Sequence, residues 1–216
     1  MFAKRNGAVP IAAILAIAAA LAAPQCADAQ TVINLPTNGL GSVATSADMG
    51  ESITVPTGPD TQLDSFQFYG MGSGSSVEFE ALVYQFNPAT MTTVGLPLYT
   101  SSLQVAPHDT LQTLAFATGP LNLTPGGRYL LDLHQQGYGN AGNLQIDDSA
   151  MSYSGGQFLV YSSYYGDWTT IDGGSPQSLA FQAVFNPTPE PSTLALLCSA
   201  LLGLGAVYLR RRGAKA

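Results

Sequence analysis

Lysine is missing from the central stretch of this 216-residue chain, and arginine nearly so. Between Gln30 and Pro189 there is one basic residue, Arg128, against twelve aspartates and glutamates. So acidic a segment repels nucleic acid and anionic membrane surfaces. Without lysine it has no Schiff-base nucleophile and no phosphate-loop lysine. It also has no cysteine: Cys26 lies near the N-terminus and Cys198 near the C-terminus. That excludes a disulfide framework and a thiol nucleophile. At roughly 155 residues the segment is long enough for one core without such staples. Histidine is scarce too, with only His108 and His134. Two histidines without cysteine are poor material for a structural zinc, so no metal site is expected.

Charge and hydropathy at the ends tell a different story. Lys4 and Arg5 precede an uncharged, mostly apolar run from Ala8 to Ala23. Ala27-Asp28-Ala29 then places small residues where a signal peptidase reads, and cleavage is expected before Gln30. Cys26 follows Gln25, which is too large and polar to precede a lipidated cysteine. Residues 1–29 therefore read as an export signal helix.

The other end reads PEPSTLALLCSALLGLGAVYLRRRG. Leu194 to Leu209 has no charged residue, and with the three residues before it spans about 19 positions, roughly 28 Å as a helix. Arg210, Arg211 and Arg212 follow and stop the span on the cytoplasmic side. Pro189, Glu190 and Pro191 precede it as an extended stretch. In this order, P-E-P, short apolar helix and arginine cluster resemble the PEP-CTERM sorting signal of Gram-negative bacteria. The resemblance implies that an exosortase recognises residues 187–216, processes them near P-E-P and releases or transfers the protein. It implies an association with exopolysaccharide, hence biofilm. The protein is then held in the inner membrane before processing and reaches the cell surface or matrix afterwards.

Residues 30–186 show period-2 alternation. In SVEFEALVYQF, Val77, Phe79, Ala81 and Val83 take one face and Glu78 and Glu80 the other. Stretches 62–70, 111–118, 128–134, 157–164 and 178–185 follow the same logic. Between them lie Gly, Pro, Asn and Ser clusters of turn chemistry. The fold class expected is an all-β antiparallel sandwich, jelly-roll-like, between the two terminal helices. The order of these stretches also resembles β-sandwich ectodomains found ahead of PEP-CTERM tails, which have no reaction attached.

Candidate chemistry is thin. Gly137 to Gly142 matches G-x-G-x-x-G, but NLQIDD after it is not a helix, so a loop is expected. No nucleophile elbow surrounds either histidine. Arg128, Asp132 and His134 share a strand face, and an exposed ion pair is expected there. Asp147, Asp148, Asp167 and Asp172 offer oxygens for calcium without EF-hand spacing. Tyr164, Tyr165, Asp167 and Trp168 concentrate aromatic rings and a carboxylate in what reads as a hairpin turn. They are candidate polysaccharide-binding residues, with core packing the preferred role for Trp168. The leading expectation is a non-enzymatic exported surface or matrix protein without cofactor, with signal peptidase and exosortase as partners. The alternatives are a carbohydrate-binding module and a two-carboxylate glycoside hydrolase.

Overall fold

The computed structural model describes residues 30–37, 42–45, 47–163, 166–170 and 178–187. The expected signal helix, the transmembrane helix and the P-E-P motif lie outside them. The segment Ala29–Thr188 forms one compact unit. The described residues hold strands and turns, with no helix among them.

Two antiparallel sheets face each other. The first joins β1 (Thr31–Leu35), β14 (Phe181–Pro187), β4 (Asp60–Ser73) and β8 (Gln112–Asn122), with β10 (Asn143–Ser149) continuing along β4 beyond β14. The short β2 (Ser42–Thr45) and β13 (Ser178–Leu179) pair with β10. The second sheet runs β12 (Asp167–Thr169), β11 (Phe158–Ser162), β3 (Met49–Thr54), β9 (Arg128–His134), β5 (Val77–Asn87), β6 (Thr92–Thr100). Here β7 (Gln104–Ala106) also pairs with β5. Three pairings nest as in a long hairpin rolled over itself: β3 with β11, β4 with β10, β5 with β9. The fourth rung of a jelly roll, β6 with β8, is not formed: β6 stays on β5 and β8 joins β4.

The alternation sets the core. Val77, Phe79, Ala81 and Val83 are fully buried, while Glu78 between them is exposed. Phe66, Phe68, Phe181 and Phe185 of the first sheet pack in one cluster with Met49, Ile53, Phe79, Leu131 and Leu133 of the second. Phe79 meets Phe116 across the gap edge to face, with ring centroids 6.2 Å apart and planes at 87°. Each such ring contributes roughly 1.5–3 kcal/mol by leaving water.

A smaller apolar cluster lies on the outer face of the second sheet. Leu130, Phe86, Leu159 and Trp168 are buried there, with Tyr84, Met91 and Tyr161 packed against them. Gly50 sits beside this face because β9 comes too close for a side chain. A Cβ there would lie 2.2 Å from the carbonyl oxygen of Leu131.

Truncating Phe79 to alanine is expected to cost about 3–5 kcal/mol, and Glu78→Ala less than about 0.5 kcal/mol. Chemical denaturation of both variants checks the assignment; equal losses would reverse the faces of β5.

Candidate functional site

The titratable groups gather on the outer face of the second sheet, around Asp132. Cross-strand register places Asp132 between Gly50 of β3 and Leu82 of β5. Leu130 and His134 flank it along β9, two residues either way. Asp132 is only 2% exposed, and its Oδ1 has no hydrogen-bond partner. Burial holds its carboxyl well above the ordinary range, and the neighbouring charge of Asp48 pushes it the same way. The expected ion pair with Arg128 is not made. The Arg128 guanidinium instead donates to the backbone oxygen of Gly155 at 2.9 Å, and His134 turns to Asp48. Asp132 lies too deep to be an exposed partner.

Asp48 is the hub. Its Oδ2 lies 2.8 Å from Nδ1 of His134, and its Oδ1 accepts the backbone N–H groups of Gln135 and Gln136 at 2.9 and 3.0 Å. The hydrogen bond to Asp48 raises the pKa of His134; burial opposes the rise, and the charges of Asp48 and Glu80 add to it. Tyr138 rests edge-on against His134, centroids 6.1 Å apart. Burial, a hydrogen bond to Glu80 and three nearby acids push its phenol up to about 12. Tyr84 is raised as well, by burial and then by Asp132 and Asp48.

This network holds a loop. Gln135 is buried; its amide donates to the backbone oxygens of Thr45 and Ala47 and accepts the N–H of Leu144. Asn140 exchanges two hydrogen bonds with the backbone of Glu78. The G-x-G-x-x-G stretch is thus a pinned loop, with Gly137 and Gly139 at φ 91° and 69°, and β10 follows it instead of a helix. A polar hollow of about 410 Å³ beside it is lined by Ala47, Gln135, Gln136, Gly137 and Asn140, among others. Asp132 does not reach it. Of the two acids nearest the network, Asp132 is sealed and Asp48 is engaged by His134, Gln135 and Gln136. Among the described residues no group of three His, Cys, Asp or Glu is placed to hold a metal ion.

The predicted aromatic site divides. Tyr164, Tyr165 and Asp172 lie outside the described residues. Asp167 and Trp168 belong to β12 rather than to the turn expected there, and Gly166 directly before them has φ 73°. Trp168 is 5% exposed, packs edge-on to Tyr161 at 5.6 Å and donates its backbone N–H to Met91. Its ring is covered by protein, which is the packing role. Of the processing residues, Gln30 alone is described; it is exposed, and its amide donates to Asn186. Ala27, Ala29, Pro189, Glu190, Pro191 and Arg210 to Arg212 lie outside.

Sequence reasoning passed over Glu51. It occupies an inward position of β3, between Met49 and Ile53, and is fully buried. Its Oε2 accepts the N–H of Leu179 in the opposite sheet at 2.9 Å, while Oε1 has no partner. Burial pushes its carboxyl up to about 8, against the pull of Leu179 and the Ser178 hydroxyl. An acid at an apolar position of an alternating run was the available sign.

Residues 187–212 match the family described as the PEP-CTERM protein-sorting motif, so the chain carries that motif directly behind β14. No curated protein matches the sequence. Two solved structures share the fold. One is the clostridial cysteine protease Cwp84 after propeptide cleavage: TM-score 0.54, 11% identity, covering 74% of this chain and 40% of that one. The other holds the cysteine protease and lectin-like domains of Cwp84, a surface layer associated protein of Clostridium difficile: TM-score 0.53, 12% identity, 76% and 37%. The chain thus spans about two fifths of those structures, and the likeness is one of fold. The motif marks an exported protein processed by exosortase, with a C-terminal membrane-anchored sorting region.

Glu51 sets a pH dependence. The unfolded carboxyl ionises near its ordinary 4.5, the folded one near 8. The folded state therefore binds the extra proton in between. Its contribution is fully present below about pH 4.5 and is lost as pH rises through 8, on the order of 5 kcal/mol in all. Asp132 and His134, both raised, act in the same direction. Thermal unfolding from pH 5 to 8 is expected to show a falling Tm in the native protein and a shallower fall in Glu51→Gln. Parallel slopes would contradict the assignment.

Proposed function

We propose that this protein is a non-enzymatic surface or matrix component, exported by its N-terminal signal and sorted through its tail, that accompanies exopolysaccharide. The sorting motif beginning at Pro187, where the last strand ends, is the observation that carries this reading. The sandwich is then the cargo and the tail the address. Signal peptidase cuts before Gln30, the apolar span holds the acidic domain outside the inner membrane, and exosortase acts near Pro189-Glu190-Pro191. A binding role has its own support in the opposite face of the sandwich, described below.

Replacing Pro189, Glu190 and Pro191 together by alanine is expected to leave full-length protein in the inner membrane of an exosortase-bearing host. Fractionation with mass spectrometry of both termini reads the result. Normal release of the variant would overturn the sorting reading, and a mature protein that does not start at Gln30 would overturn the export reading.

A further inference from the structure

The outer face of the first sheet has a different chemistry from everything else on the domain. Strands β1, β8 and β14 contain no charged residue, in a segment with twelve acids and one base. The only charges on this side of β4 are Asp60 at its start and Asp64 in a bulge between Leu63 and Ser65. What the face offers instead is primary amides, arranged in rows across four strands.

Register defines the rows. Asn34, Gln182, Gln67 and Ala115 face one another in succession on β1, β14, β4 and β8. Next along the strands come Val32, Val184, Ser65 and Ala117, again in succession. Beyond them lies a second amide row: Gln30 donates to Asn186 at 2.6 Å, Asn186 faces Gln62, and Gln62 donates to Asn122 at 2.8 Å. Small and apolar side chains thus form a floor between two amide banks. The floor is concave over β14, β4 and β8: a hollow of about 240 Å³ is lined by Ser65, Gln67, Ala115, Ala117, Gln182 and Val184, with Phe66 and Phe116 beneath. With β1 beside it, four strands at roughly 4.8 Å spacing make the face around this channel about 14 Å long, crossing the strands.

We infer that this channel binds a neutral polysaccharide chain lying across β1, β14, β4 and β8. Each amide carries two donors and an acceptor with two lone pairs, which matches sugar hydroxyls that both donate and accept. The amides of Asn34 and Gln182 have no side-chain partner among the described residues, and Gln67 uses only one donor, to Tyr69. Their remaining hydrogen-bonding capacity points to an exposed, hydroxyl-rich ligand. The apolar floor suits the C–H faces of sugar rings. Charge selects the class: the acidic domain repels polyanions, and this face offers no carboxylate row to hold polycations. The length selects a polymer over a single sugar. The proposal deepens the exopolysaccharide association above and rests on that reading for the source of the ligand. Binding itself does not depend on sorting.

The test uses the full chain purified in a non-glycosidic detergent, run by affinity electrophoresis in gels containing hydroxyethylcellulose, the host's neutral matrix polysaccharide or alginate. Retardation is expected in at least one neutral gel and not in alginate, with oligosaccharides competing and monosaccharides failing to compete. Ala117→Glu, which puts bulk and charge on an exposed floor position, is expected to weaken retardation at least tenfold. Gln182→Ala should weaken it a few-fold, and Gln85→Ala on the other sheet should leave it unchanged. Thermal unfolding of each variant confirms folding. No retardation in either neutral gel overturns the proposal, as does equal retardation of Ala117→Glu. So does a dimer, seen by sedimentation, that this substitution breaks; the face would then be a contact between copies. Normal tail processing with no retardation separates failure of this site from failure of the sorting reading.

Discussion

Acids without cations are the condition the rest of this structure answers to. The sandwich folds twelve carboxyls with a single guanidinium, and that guanidinium goes to a carbonyl oxygen. Among the described residues the ion pairs are both histidine–aspartate: His134 with Asp48 and the exposed His108 with Asp109. The acids drawn into the interior are accommodated in more than one way: Asp48 also accepts backbone N–H groups, Asp60 accepts the Thr31 hydroxyl, and burial raises the pKa of Glu51 and Asp132 and so favours their protonated forms. An isolated buried carboxylate would cost far more than any of these. Glu51 illustrates the compromise. One oxygen takes the N–H of Leu179 and so ties the two sheets together, while burial favours the protonated, uncharged form.

The same condition sorts the two outer faces. On the second sheet, acids, tyrosines and a histidine interlock around Asp48 and hold the β9–β10 loop. On the first sheet the face is nearly free of charge and its amides are presented to solvent in register.

How much of this is legible in the sequence depends on how many partners a feature needs. Strands with one buried face announce themselves, so β4, β5, β8, β9 and β14 are found from Phe66, Phe79, Phe116, Leu131 and Phe181 recurring at every second position along the strand. β3 is harder, because Glu51 breaks its apolar series, and β6 is interrupted by Gly95 and Pro97. β12 reads as a turn because Gly166 and Asp167 directly precede Trp168, although its ring is buried against Leu130 and Phe86. The sorting motif is local and fully legible. The amide rows are not, since they exist only once β1 and β14, some 150 positions apart, lie side by side. Asp132 likewise looks like a surface acid until Leu82 and Gly50 close around it.

Counting protons on unfolding tests the central claim most directly. Calorimetric unfolding at pH 7 in buffers of differing ionisation enthalpy gives the net number released. If Glu51 and Asp132 are held protonated by burial, unfolding should release roughly one to two protons per molecule. Zero release, or net uptake, would mean that the interior carries these carboxyls as charges, and the account would fail.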